Sequence, residues 1–450
     1  MIGLKKKYVA NPMRMIAVIF AVIILLGTLL LMLPISTRDR MGCDFLSALF
    51  TATSATCVTG LVMFDTYTKW SGFGQAVIIT LIEIGGLGFI SAFSLLTFLF
   101  KKRMSFKQKM VVAQSFSVSD MSETLKIQKL VLFGSLTVQG IGAAILTVIF
   151  CFDYDFLMSL KLGLFHSISA FCNAGFDILG FVTPGASLLE FNTNCPLLIT
   201  LAILIIVGGL GFLVWQELID YRKTKKFTVY TKLVLSATVL LLLFGTIGFA
   251  FVEWNNANTI GNMSAGEKIL NSFFQSVTVR TAGFDSLNQA GLTEAGKMFS
   301  VPLMLIGGSS GSTAGGIKTV TFIVILMFLN SKLHGTQHMR IYNREITMQH
   351  VLDALTLTCI VIGLMFFGAI FINITSPIGF VDAIFETASA LATVGLTAGA
   401  TTLLSTPAKI MIVVFMYFGR IGILTLSMGF LLGDKTKEKV KYADANLLIG

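Results

Sequence analysis

Long and short apolar stretches alternate along the whole chain, and the alternation repeats. Runs long enough to cross a bilayer, about 20 residues each, fall at 16–33, 76–100, 130–150, 197–215, 233–251, 299–329 (interrupted), 352–371 and 410–432. Within each successive pair lies a shorter amphipathic stretch. It ends in a Thr/Ala/Val-rich turn closed by one Gly and one bulky apolar residue. The copies recur at roughly 110-residue intervals. They run from Asp44 to Val58-Thr59-Gly60-Leu61, from His166 to Asn173-Ala174-Gly175-Phe176, from Ile269 to Thr281-Ala282-Gly283-Phe284 and from Phe380 to Thr393-Val394-Gly395-Leu396. After each comes a span with its own Gly cluster: Gly85-Gly86-Leu87-Gly88, Gly208-Gly209-Leu210-Gly211, Gly307-Gly308-Ser309-Ser310-Gly311 and Gly419-Arg420-Ile421-Gly422. The pattern predicts an all-α polytopic membrane protein built from M1–pore-helix–M2 repeats around a pseudo-fourfold pore, with eight spans and four re-entrant pore loops. The repeats would occupy residues 1–110, 111–226, 227–345 and 346–434, followed by a tail at 435–450.

Composition agrees. At 450 residues, 55% hydrophobic and only 12% charged, the chain has too little polar surface to cover a soluble globule of its size. The formal charge of +10 is unevenly placed. Most Lys and Arg cluster at 5–14, 101–129, 222–232, 332–344 and 435–441, which eight spans put on one face together with both termini; the positive-inside rule makes that face cytoplasmic. The opposite loops carry Asp44, Asp65, Asp153, Asp155, Asp177, Glu190, Glu253, Glu267, Asp285, Glu294 and Asp382. Acidic mouths concentrate cations, so the outer vestibule is expected to suit a cation. The six cysteines show no CxxC spacing, and His334 and His338 have no third ligand nearby, so neither a disulfide framework nor a metal site is indicated.

Four converging loops of non-helical backbone give these turns a chemistry. Their carbonyls lack helix partners, and they persist in a membrane only where buried in protein or facing a polar cavity; a bare cation is a suitable partner. The Thr393-Val394-Gly395-Leu396 turn is the nearest of the four to the Thr-Val-Gly-Tyr core of potassium-channel filters. With Cys57 to Leu61, Val279-Arg280-Thr281-Ala282-Gly283-Phe284, the loop from Gly307 to Thr319 and the Gly419–Gly422 cluster, the chain resembles the Trk/Ktr/HKT superfamily of potassium uptake proteins. Within that superfamily it is similar to the bacterial KtrB-type ion-translocating subunit over nearly its whole length. The resemblance implies a backbone-carbonyl filter for K+ at Val58–Leu61, Asn173–Phe176, Thr281–Phe284 and Thr393–Leu396. In plant relatives a Ser in the first filter goes with sodium permeation, so Gly60 implies a potassium-preferring pore.

The sixth run is broken by Gly307-Gly308-Ser309-Ser310-Gly311-Ser312-Thr313-Ala314-Gly315-Gly316, which would be costly as lipid-exposed helix. A close-packing site for a neighbouring helix is the plainer alternative; by resemblance the segment is an intramembrane gate beneath the filter. A phosphate-binding loop is excluded, because Ile317 stands where the lysine must be. Ionisable groups within spans call for a named partner. Arg420 is expected to add a positive barrier under the filter, worth a few kcal/mol at about 4–6 Å and an effective dielectric near 20, either unpaired or partly neutralised by Glu83. Arg280 and Glu386 are expected to pair behind the filter, and Lys318 to anchor the cytoplasmic end of the loop.

A secondary transporter of another small solute, sodium- or proton-coupled, is the alternative reading, but it predicts inverted repeats where this chain offers parallel ones. An enzyme needs a nucleophile and base, or a metal cluster, within the spans, and the runs offer none. The resemblance further implies a homodimer in the plasma membrane, in contact with lipid. It also implies a cytoplasmic KtrA-type regulatory ring binding adenine nucleotides, and Na+ as an activator. Neither an organic cofactor nor a nucleic-acid partner is expected of this chain.

Overall fold

The computed structural model describes residues 12–88, 124–335, 339–342 and 344–422; the basic segments at 101–123 and 435–441, and His338, lie outside them. Each repeat opens on a long helix: α1 Pro12–Met32, α4 Thr124–Phe150, α8 Val229–Glu253 and α12 Met348–Thr375. These four are, among the described residues, the continuous helices long and apolar enough to cross a membrane. Short helices follow: α2 Phe45–Thr56, α5 Phe156–Phe171, α9 Ala265–Thr278 and α13 Phe380–Ala392. The second spans open with α3 Gly72–Gly86, α6 Cys195–Gly209, α10 Glu294–Leu305 and α14 Thr406–Ile421. The described fold is helical apart from a two-stranded hairpin, Arg340–Ile341 against Arg344–Glu345.

Burial is arranged for lipid. Val18, Val22, Leu25 and Leu29 recur four or three residues apart on α1 at about half exposure, and Phe244, Ile247 and Phe251 recur likewise on α8, more exposed still. The short helices lie inside, and they are the polar ones: Thr51, Thr53, Ser54 and Thr56 on α2, and Thr387 and Ser389 on α13, are fully buried or nearly so. Apolar shells around them close the bundle.

Each second span stops being helical at its Gly cluster. Continuous helix is expected over 197–215; the structure instead bends it by 96° between α6 and α7 Phe212–Thr224. Gly211 takes φ +92° there, so the helical ladder cannot continue. The break in the third repeat is as expected, with α10 and α11 Thr319–Leu333 separated by the loop from Ile306 to Lys318. The two broken spans repair each other. Gly208 and Gly209 carbonyls accept from the Thr313 and Ser309 amides, and the Gly311 carbonyl accepts from the Phe212 amide. This is how non-helical backbone survives at membrane depth.

The clusters also have a packing reason. A Cβ on Gly85 would lie 1.9 Å from the Thr56 carbonyl oxygen, one on Gly208 2.0 Å from that of Phe171, and one on Gly419 2.2 Å from that of Leu391. Three of the four second spans therefore press bare backbone against the C-terminal end of their own short helix; in the third, Gly307 packs on the Gly315 carbonyl instead. Gly208→Val is expected to lower the thermal midpoint of the detergent-purified protein through overpacking worth about 1–3 kcal/mol. Gly363→Val, on open space in α12, is expected to leave the midpoint nearly unchanged.

Candidate functional site

The short helices are built to point inward. Asp44 and Asp155 accept the Ser47 and Met158 amides as N-caps, and Ser264 with Glu267 forms a reciprocal capping box. Their C-termini deliver the four turns, so the partial negative end of each helix faces the same centre and favours a cation there.

The turns meet in a closed ring that follows chain order. A Cβ on Gly60 would lie 2.5 Å from the Ala174 carbonyl oxygen, one on Gly175 2.7 Å from that of Ala282, one on Gly283 2.4 Å from that of Val394, and one on Gly395 2.2 Å from that of Thr59. Every turn thus packs its glycine against the carbonyl of the next, and the fourth returns to the first. A side chain at any of these positions would force the ring apart. The bulky residues that close the turns, Leu61, Phe176, Phe284 and Leu396, are buried behind it.

One backbone shape recurs in all four turns. Val58, Asn173, Thr281 and Thr393 take φ of +57°, +59°, +68° and +53°, and the glycines two residues on take +98°, +67°, +81° and +97°. Left-handed conformation at non-glycine residues costs roughly 1–3 kcal/mol each and persists only where surrounding structure imposes it. A positive φ at every second residue turns successive carbonyls toward one side. The sequence marks these residues as filter positions but not their left-handed backbone, because β-branched Val and Thr are poor left-handed residues.

Hydroxyls on the short helices fix the turns. Ser54 and Ser389 accept the Gly60 and Gly395 amides at 3.1 and 3.0 Å, while Ser169 and Thr278 donate to the Phe176 and Phe284 carbonyls at 2.6 and 2.8 Å. These positions were missed, although a Ser or Thr five or six residues before each glycine is visible in the sequence. The hydroxyls of Thr59, Thr281 and Thr393 are buried without a hydrogen-bond partner among the described residues.

Outside the ring lies a cavity of about 250 Å³ lined by Gly60, Gly175, Gly283 and Gly395 together with Asp65, Asp177 and Asp285. The acidic loops therefore divide. These three line the vestibule, Asp65 while also accepting the Thr68 and Gly185 amides and Asp177 that of Leu179. Asp44 and Asp155 are spent on caps, Asp382 on Lys297 at 2.7 Å, and Glu253 on Thr293, Asn256 and Thr259.

Against the first residues of the turns, away from this cavity, lies the glycine-rich loop. The Thr313 hydroxyl donates to the Phe171 carbonyl and to Asn173 Oδ1, Gly307 lies against the Thr281 methyl, and Gly315 against the Thr393 hydroxyl. It thus touches the left-handed residue of three of the four turns. The loop holds itself through Gly307 and Ile317, whose amide and carbonyl pair at 3.0 Å, and through Ser312 on the Ser309 carbonyl and Ser309 on Thr319. Ser310 offers its carbonyl to Tyr230. Lys318 Nζ donates to the Ala314 and Gly315 carbonyls, and Gly308 and Gly316 complete the strand-like approach to Thr319 and Leu305. Arg420 donates to the Thr313, Gly85 and Gly86 carbonyls, tying the loop to the first repeat.

With this geometry in hand, comparison with known proteins is decisive. The TrkH family model, described as a cation transport protein, matches residues 4–438. The chain belongs to the TrkH family. The potassium/sodium uptake protein NtpJ of Enterococcus hirae is 38% identical, covering 98% of this chain and 97% of its own. The Ktr system potassium uptake protein B of Bacillus subtilis is 36% identical over 98% and 97%. The crystal structure of the potassium transporter TrkH from Vibrio parahaemolyticus shares the fold, with a TM-score of 0.74 over 96% of this chain and 87% of that one at 16% identity. The TrkH relatives are ion transporters, so this chain is a multi-pass membrane transporter and not an enzyme.

Two charge pairings expected in this TrkH-family chain are corrected. Arg420 is not neutralised by Glu83: its donors go to backbone carbonyls, while Glu83 accepts from Gln139 Nε2 at 2.9 Å and from the Cys172 thiol at 3.3 Å. Arg280 does not pair with Glu386. Glu386 accepts the Thr397 and Thr401 hydroxyls, and among the described residues Arg280 reaches only the Gly307 carbonyl, at 3.5 Å. Sequence depth put these groups at similar levels but could not say which side of the ring each one faces. The stability losses of Arg280→Gln and Glu386→Gln are therefore expected to add to within about 0.5 kcal/mol in a double-mutant cycle, as for independent sites. Coupling beyond that would restore the pairing.

Proposed function

We propose that this chain takes up K+ across the plasma membrane through a filter of backbone carbonyls at Val58–Leu61, Asn173–Phe176, Thr281–Phe284 and Thr393–Leu396. One observation carries the reading: the four glycines close a ring in chain order at the inner end of a single acidic vestibule. Successive carbonyls held by alternate positive φ replace a hydration shell of fixed size, and the three vestibule carboxylates supply cations to it. The names of NtpJ and of the Ktr system protein support K+ as the cargo.

The loop from Gly307 to Gly316, with Lys318 and Arg420, is the gate of this reading. It lies against the filter turns, so an ion leaving inward must displace it. Arg420 contributes both a fixed charge and three bonds that hold the loop in place. Sodium stimulation, a homodimer, cytoplasmic termini and a cytoplasmic KtrA-type ring carrying an adenine nucleotide belong to the same proposal.

Flux into proteoliposomes of the purified chain tests it. Potassium is expected to enter without competition from organic solutes, and competition by such solutes would overturn the reading. Gly60→Ser is expected to narrow discrimination between K+ and Na+ by about tenfold, equivalent to about 1.4 kcal/mol. Arg420→Ala is expected to raise the maximal flux, because both the field and the latch are lost; unchanged flux would remove Arg420 from the gate.

A further inference from the structure

With Glu386 turned to Thr397 and Thr401, Arg280 is a buried cation without a carboxylate partner among the described residues. Arg280 is 9% exposed; among the described residues its one hydrogen bond is the 3.5 Å contact to the Gly307 carbonyl, and its Nε has no partner. The groups around the loop add to the imbalance. Arg420 and Lys318 are spent on carbonyls, and Glu83 is turned to Gln139 and Cys172. A buried guanidinium without a carboxylate is costly unless something else supplies the negative charge.

A small cavity lies against this side chain. It measures about 20 Å³ and is lined by Arg280, Asn173, Thr238, Gly209 and Gly308 among apolar neighbours. That is room for one small species, since a single water needs roughly 10–15 Å³ on the same measure. Its polar groups are mainly donors. Asn173 Oδ1 is engaged by Thr313, and the amide nitrogen of Asn173 lies on the Gly209 side, 3.7 Å from where a Cβ there would sit. Arg280, whose Nε is unpartnered among the described residues, and Thr238 complete the polar lining.

We propose that this cavity is a binding site for a small monovalent anion, chloride by size. The anion is held by Arg280, Asn173 and Thr238 and neutralises the guanidinium behind the filter. Water would fill the same volume and accept the same bonds, but it would leave the charge uncompensated. The site joins a residue of the second filter turn, a residue beside the third and the start of the glycine loop, so its occupancy bears on how firmly the loop is seated. The proposal does not depend on the identity of the transported cation.

Crystals of the full chain grown with bromide in place of chloride test it directly. An anomalous peak beside Arg280 is expected, and a feature without anomalous signal, or an empty cavity, would overturn the site. A solution measurement runs in parallel, at constant potassium and ionic strength with gluconate as the replacement anion. The thermal midpoint of the wild-type chain is expected to rise saturably with chloride, the rise to shrink in Thr238→Val and to vanish in Arg280→Gln. Should Arg280→Gln fail to fold, the bromide peak and the Thr238→Val response still decide. A midpoint indifferent to chloride in the wild-type chain would overturn the proposal.

Discussion

Unpaired peptide groups at membrane depth are the constraint on which the rest of this structure depends. Carbonyls that leave a helix inside a bilayer must find a partner or the segment is expelled. Here four such segments are gathered into one ring, where each glycine is pressed against the next turn's carbonyl. The ring is self-limiting in size because a methyl group does not fit at any of its four contacts. It is also strained, with Val58, Asn173, Thr281 and Thr393 all held left-handed. That strain is sustained by burial and by the hydroxyls of Ser54, Ser169, Thr278 and Ser389, which fix an amide or a carbonyl of each turn.

The same constraint explains the broken spans. Once the third repeat gives up its helix between Leu305 and Thr319, its amides need acceptors, and the bend in the second repeat supplies them from Gly208 and Gly209. The cationic side chains solve the complementary problem. Arg420 and Lys318 donate to carbonyls that the loop would otherwise leave bare, and hydrogen bonds to charged donors contribute about 1.5–3 kcal/mol each. These bonds hold a loop of small residues in place against the filter turns. Its attachment to Gly85 and Gly86 links its position to the first repeat.

Around this polar centre the protein is inverted relative to a soluble globule. The hydroxyl-rich short helices are the most deeply buried elements, and the apolar faces of the long helices are the exposed ones. Lipid can take up that outer surface, whereas exposing it to water would cost about 25 cal/mol per Å². Acidic residues of the outer loops cap helices and form ion pairs, and Asp65, Asp177 and Asp285 line the vestibule, Asp65 while also capping Thr66–Lys69.

The sequence by itself determined the repeat, the re-entrant turns, the glycine at each turn and the interruption of the sixth run, because each of these leaves a periodic or compositional trace. Gly60, Gly175, Gly283 and Gly395 stand out for that reason, and so does the stretch from Gly307 to Gly316. Tertiary structure decided the rest. It alone brought the four glycines into one ring, bent the fourth run by 96°, and made left-handed residues of Val58 and Thr393 against their local preference. It also turned Glu83 and Glu386 away from the arginines they were matched with. Depth along a helix can be counted in residues, but the direction in which a buried charge faces depends on neighbours hundreds of positions away, as with Arg420 and Gly85, and no local pattern records it.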